Sequence, residues 1–175
     1  MAAMFVALIV GPPGVGKTSA LVALDNLLAD RDIPHAAVEV EALSWAHPPL
    51  PDASTFPHLA AIRDAYEDAG YDLLLCGATI TSEAYLEAVV RALRPGGRIV
   101  VRLDADELTL RERIERREPP DWSGLANLLS ASGEIAVVSR RLKNVDSVYS
   151  THDLSPHEIA IRVADVLAAA QAAAP

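Results

Sequence analysis

Met4-Phe5-Val6-Ala7-Leu8-Ile9-Val10-Gly11-Pro12-Pro13-Gly14-Val15-Gly16-Lys17-Thr18 runs from an unbroken apolar stretch into a glycine-rich turn that ends in a lysine and a hydroxyl residue. The apolar part has strand length and no polar alternation, which is expected of a strand buried on both faces. Beyond it, Ala20, Leu21, Leu24, Leu27 and Leu28 recur at helical spacing, so the turn joins a strand to an amphipathic helix. In that setting the glycines let backbone amides point inward around phosphate oxygens, and the helix amino terminus adds partial positive charge. The pattern G-x-x-x-x-G-K-[ST] is complete: Gly11, then Pro12, Pro13, Gly14 and Val15, then Gly16, Lys17 and Thr18. Lys17 is placed to reach the terminal phosphates of a nucleotide, Thr18 to coordinate Mg²⁺, and Ser19 to bond a phosphate from the first helical turn.

Outward from this stretch, apolar runs alternate with helical periodicities to the end of the chain. His35 to Val40 reads as a strand with one covered face, Val38 and Val40 on one side and Glu39 and Glu41 on the other. Trp45 to Pro57 is rich in proline (48, 49, 51 and 57) and has no hydrophobic period, the pattern of a functional or mobile loop. Leu59, Ile62, Tyr66 and Ala69 predict a helix stopped by Gly70, and Tyr71 to Cys76 a second buried strand. A helix with Leu86, Val89, Val90 and Leu93 follows, then a strand from Arg98 to Leu103. Helices are expected over Asp106 to Glu118 and Ser123 to Leu142, a short strand over Val145 to Ser150, and a last helix. Its start, Ser155-Pro156-His157-Glu158, is a capping box with proline in the first helical position. Its alanine-rich end, Ala168 to Pro175, reads as fraying. Strands alternating with helices imply parallel pairing through right-handed crossovers. The expected fold is therefore a three-layer α/β/α domain spanning residues 1–175, a five-stranded parallel sheet with helices on both faces. Ligands of such sheets bind beyond the carboxyl ends of the strands.

Composition narrows the function. With 175 residues, 51% of them hydrophobic, the chain suits one core, and domains of this size bury about 70% of their unfolded surface. The single cysteine, Cys76, excludes an intrachain disulfide and a cysteine-based zinc site, and a reducing cytoplasm is the simplest address. A net charge of −9 speaks against general affinity for nucleic acid or an anionic membrane, though not against one small anion in a local pocket. The apolar start, Met1 to Val10, lacks the positive residue and cleavage site of a leader, and no run reaches membrane-spanning length. His35, His58, His152 and His157 show no metal spacing, so Mg²⁺ brought with a nucleotide is the metal expected.

On its glycine-rich motif and order of elements the chain resembles the P-loop NTPases. Two branches lack their marks: Lys143-Asn144-Val145-Asp146 is not the guanine motif of regulatory GTPases, and Leu75-Cys76-Gly77 lacks the acidic pair of AAA-type motors. Leu110-Arg111-Glu112-Arg113-Ile114-Glu115-Arg116-Arg117 is similar to the stretch that opens the lid of adenylate kinase and to the L-x-x-R of shikimate and gluconate kinases. That resemblance implies that Arg113 stacks on adenine and that Arg117, one turn later, meets the phosphates when a short lid, about residues 113–124 with the turn Pro119 to Trp122, closes. Trp122 is expected to pin that turn to the body of the domain.

Glu39-x-Glu41 resembles the D-x-D of shikimate kinase with glutamate at both positions. The resemblance implies one carboxylate holding Mg²⁺ through water and the other contacting an acceptor hydroxyl, with Glu41 nearer the crevice. Gly77-Ala78-Thr79 would offer a close backbone and a hydroxyl to an acceptor, Ser44, Trp45 and His47 would cover it, and Ser150-Thr151-His152-Asp153 would lie along the adenine. Cys76-Gly77 stands where adenylate-type kinases have Asp-Gly, and no arginines for a monophosphate mark the proline-rich loop. The expectation is a kinase using ATP and Mg²⁺ to phosphorylate a small hydroxylated acceptor. The competing one is an ATP-binding regulatory or accessory protein that hydrolyses slowly and transfers to nothing.

Overall fold

The computed structural model describes residues 3–48, 50–51 and 54–173; Met1, Ala2, then Pro49, Asp52 and Ala53 of the proline-rich loop, and the end of the alanine-rich tail, Ala174 and Pro175, lie outside them. Among the described residues five strands form one sheet: β1 (Phe5–Val10), β2 (Ala36–Glu39), β3 (Leu73–Ala78), β4 (Gly97–Asp104) and β5 (Ser147–Ser150). Their order is β2-β3-β1-β4-β5 and every pairing is parallel. β1 lies between β3 and β4 and is buried along its whole length, which is why its sequence is apolar without alternation.

Alternation along the strands divides the core into two layers. Phe5, Ala7 and Ile9 pack with Leu24 of α1 (Lys17–Asp30) and Val163 of α6 (Pro156–Ala173). Val6, Leu8 and Val10 pack with Leu59 of α2 (Thr55–Asp68) and Val89 of α3 (Glu83–Leu93). After β4 the chain forms α4 (Glu107–Arg117) and α5 (Leu125–Ser139). No helix of the described residues is long and apolar enough to cross a membrane.

The differences from the expected boundaries have local causes. Val40 turns into a 3₁₀ helix, Val40–Ser44, so β2 ends at Glu39 and Glu41 leaves the strand. β3 starts later than Tyr71 because the Tyr71 N–H donates to Tyr66 O and finishes α2. It also runs on to pair Gly77 and Ala78 with Ile9 and Val10, so those two residues close a strand and do not form a turn. The proline-rich loop ends early because Pro57 lies in the first turn of α2, where a missing N–H costs nothing. Ser155 and Glu158 form the expected capping box: Ser155 N donates to Glu158 Oε2 at 2.8 Å and Glu158 N to Ser155 Oγ at 3.3 Å.

Candidate functional site

The loop Gly11 to Gly16 leaves the carboxyl end of β1 and delivers Lys17 as the first residue of α1. Gly14 has φ 81°, and a Cβ there would stand 2.9 Å from both Ile114 Cγ1 and Leu110 O, so α4 presses directly on the loop. Gly16, the residue before α1, has φ 98° with open space around it, so its requirement is conformational alone. Two further bonds fix the loop from outside. Ser132, buried in α5, donates from Oγ to Pro13 O at 2.8 Å, and Arg113 donates from Nη1 to Val15 O at 3.3 Å.

Lys17 lies along this loop and donates from Nζ to Pro12 O at 3.1 Å. Burial pushes its ammonium below the usual lysine range, against the opposing pull of Glu41 and Glu39, while the positive charge of Arg117 adds to the lowering. The charges felt at Lys17 are thus those of both glutamates and of the α4 arginine. Thr18 donates from Oγ1 to Glu39 Oε1 at 2.6 Å. Glu41 reaches the same crevice from the 3₁₀ turn, its Oε1 accepting the N–H of Thr79 just after β3. Both glutamates were expected to project together from a strand. The structure brings them together by different routes, one from the last position of β2 and one from the turn beyond it. Burial pushes the Cys76 thiol up, and the negative charge of Glu41 adds to the shift, which leaves an unreactive core thiol next to the crevice.

On the other flank, Arg113 donates from Nη1 to Thr151 Oγ1 and from Nη2 to Thr151 O, both at 2.8 Å. With its bond to Val15 O, this guanidinium ties the glycine-rich loop to the segment after β5, the edge along which adenine was expected. Arg117 is exposed, its Nε donating to Glu118 Oε1 at 2.7 Å. Ser19 is exposed on α1 next to Thr18. Trp122 stacks against Gly124, where a Cβ would meet its ring, yet remains 44% exposed. Trp45 is 85% exposed and does not pack on the domain, and His47 is exposed beside it.

The Thr18 hydroxyl and the Glu39 carboxylate are hard oxygen donors placed side by side at the loop. Among the described residues no group of three or more His, Cys, Asp or Glu could hold a metal ion. One hydroxyl and one carboxylate fit Mg²⁺, which keeps waters and phosphate oxygens as most of its ligands.

Three contacts of this arrangement went unread in the sequence. Ser132 had a signal, a hydroxyl on the buried face of α5 in line with Ala136 and Ser139. Thr79 was singled out for its hydroxyl, whereas the group used is its amide. Thr151 was placed along the nucleotide, with nothing in the sequence to pair it with Arg113.

No protein-family model matches the chain, and no curated protein matches it either. Solved structures do. A gluconokinase from Sinorhizobium meliloti 1021 is 21% identical, with 97% of this chain and 94% of that one covered and a TM-score of 0.64. The Mycobacterium tuberculosis APS kinase, solved in complex with AMPPNP and APS, is 20% identical over 96% of this chain and 99% of its own, with a TM-score of 0.64. A sugar kinase from Janibacter sp. HTCC2649 is 18% identical over 99% of each chain, with a TM-score of 0.65. The chain therefore has the fold of the P-loop small-molecule kinases.

Proposed function

We propose that this protein is an ATP- and Mg²⁺-dependent kinase that transfers the γ-phosphoryl group to a hydroxyl of a small-molecule acceptor. The observation that carries the reading is the pair of glutamates at the glycine-rich loop: Glu39 on the Thr18 hydroxyl and Glu41 on the Thr79 amide, both within the field of Lys17. Glu41 supplies the crevice with a second carboxylate, a proton acceptor for a hydroxyl nucleophile.

The amides of Gly14 to Lys17 cradle the β- and γ-phosphates, and Lys17 exchanges its bond to Pro12 O for phosphate oxygens. Thr18 and Glu39 would hold Mg²⁺, which when bound draws charge from the bridging and γ-phosphate oxygens. Glu41 accepts a hydrogen bond from the acceptor hydroxyl and aims its oxygen at phosphorus. As the new O–P bond forms and the bond to the β-phosphate oxygen breaks, the hydroxyl proton passes to Glu41 and ADP leaves. Arg117 turns from Glu118 to the transferring phosphoryl as residues 113–124 close as a lid, and Arg113 flanks the adenine while holding Thr151. Placement and charge neutralisation supply most of the acceleration.

The test is a screen of ATP-dependent phosphorylation over hydroxylated small molecules, with Glu41→Gln and Thr18→Ala alongside. The reading expects Glu41→Gln to lower kcat on any acceptor found by roughly 100-fold or more, the scale of general-base catalysis, with ATP affinity retained. Thr18→Ala should raise the Mg²⁺ concentration needed for half-maximal turnover. ATP hydrolysis that no acceptor accelerates would replace transfer by the nucleotide-binding accessory role, which the absence of a carboxylate at Cys76-Gly77 favours.

A further inference from the structure

β4 outruns its outer neighbour. β5 begins at Ser147, in register with Val101, so Arg98 and Val100 have a strand on one side only. The segment 140–146 closes that edge in place of a strand: Asp146 N donates to Val100 O at 2.8 Å, and Val100 N donates back to Asp146 Oδ2 at 2.7 Å. Its other anchor is on α3, where Glu83 Oε2 accepts the Lys143 N–H at 3.1 Å. A strap tied at two points covers the sheet less completely than a strand with its own helix, and a cavity of about 240 Å³ remains between α3, β4 and the strap.

This cavity is separate from the crevice. Its strand residues Arg98 and Val100 pair with Val6 and Leu8, whereas the glycine-rich loop follows Val10. Arg98 thus lies four residues below the level of Val10, roughly 13 Å along the strands.

Leu86 and Val90, one turn apart on α3, and Val100 make an apolar floor. The rim is charged. Arg91 stands in the last turn of α3, Arg98 comes from β4, and Asn144, at φ 55°, brings a side-chain amide from the strap. Arg91 pairs only loosely with Glu87, at 3.9 Å between two exposed side chains, and the Arg98 guanidinium has no partner among the described residues. Neighbouring arginines on this side of the sheet are committed: Arg63 forks onto Glu67, and Arg94 bonds Asp64. Of the carboxylates on the rim, Glu83 holds the strap and Glu87 leans toward Arg91. An apolar floor with a few polar groups converging on it is the make-up of a small-molecule site, and guanidinium groups favour a carboxylate.

The geometry points to this cavity as a second ligand site, one that takes a small apolar carboxylate: its ring or branched chain lies on Leu86, Val90 and Val100, and its carboxylate meets Arg98, with Arg91 adding charge and Asn144 an N–H donor. An apolar cavity of about 150 Å³ accommodates benzene, so this one has room for such a ring with a carboxylate attached. An uncharged molecule of the same shape leaves the guanidinium groups unused, and a cation is repelled by them.

The experiment is an NMR titration of the ¹⁵N-labelled full chain, without nucleotide, using three single-ring probes: benzoate, benzyl alcohol and benzylamine. Saturable amide shifts centred on Leu86, Val90, Val100 and Asn144 are expected with benzoate, at an affinity roughly tenfold or more above that of benzyl alcohol, and none with benzylamine. Arg98→Met, at an exposed position, should weaken benzoate roughly tenfold or more, and Arg98→Lys should recover part of the loss. Glu87→Gln, which removes a negative charge from the rim, should tighten benzoate a few-fold. Val90→Phe, which fills the floor from a partly exposed position, should abolish the shifts. Equal binding of benzoate and benzyl alcohol, benzoate binding Arg98→Met as it binds the wild type, shifts centred on Gly11 to Thr18 instead, or no saturable shift with benzoate would each overturn the assignment. None of these outcomes bears on the kinase reading, which nucleotide binding tests by itself.

Discussion

Lys17 carries a charge that the fold itself resists. Burial lowers its folded pKa beneath the 10.5 of a free lysine, so at alkaline pH below that value the unfolded chain holds more of the proton than the folded one. Stability then rises with pH in that window, and Lys17→Met, which removes the titration, should abolish the rise. Urea midpoints of the two proteins across the alkaline range measure this; parallel pH profiles would show that Lys17 is not desolvated. Two glycines of the loop separate crowding from conformation. Gly14→Ala meets both a positive φ and the backbone and side chain of α4, and should cost about 2–4 kcal/mol together with nucleotide affinity. Gly16→Ala meets only its φ of 98° and should cost about 1–2 kcal/mol, a difference that thermal unfolding resolves. The residues legible in the sequence were those whose chemistry follows from local order, Gly11 through Thr18. Ser132 and the Thr79 amide were not, because each acquires its partner from an element distant in sequence, and a hydroxyl in an apolar run does not name its partner.

At the scale of elements, the site depends on how strands end. Period-two alternation correctly placed Val38 and Val40 against the core and the glutamates away from it. It could not show that the strand stops at Glu39, since a 3₁₀ turn of five residues leaves no distinct hydrophobic period. The start of α6 was read more securely because its cap is written in side chains. At the start of α6, hydrogen bonds from the Ser155 hydroxyl and backbone hold the Glu158 carboxyl below the usual carboxylate range. A depressed carboxyl adds stability above its unfolded pKa and loses it as pH falls through the folded one. Wild type should therefore lose its advantage over Glu158→Gln on acidification from about pH 5 to 3, with the melting temperatures converging. Ser155→Ala should cost about 1 kcal/mol, which for a domain of this size is a drop of roughly 2–4 °C, without changing nucleotide affinity. Arg113 works between elements. Arg113→Ala releases Thr151 and Val15 together and should raise the KM for ATP, and Arg113→Lys should not restore it, because one ammonium cannot reproduce a fork to three oxygens.

Over the whole molecule, the order β2-β3-β1-β4-β5 assembles a site from parts scattered along the chain. It sets the glycine-rich loop at the centre, Glu41 and Thr79 to one side, and Arg113 and Thr151 to the other. Alternating apolar runs and helical periods specified the parallel sheet, because such strands must be covered on both faces and crossovers are right-handed. They did not specify how closely α4 and α5 would press on the loop through Gly14, Pro13 and Val15, which is a matter of packing. The central claim is that this loop grips a nucleotide triphosphate through Lys17. Calorimetric titration of AMPPNP with Mg²⁺ into the wild type and Lys17→Met tests it most directly. The account predicts one saturable site weakened roughly tenfold or more by the substitution, and equal affinity in the two proteins, or no binding to either, would contradict it.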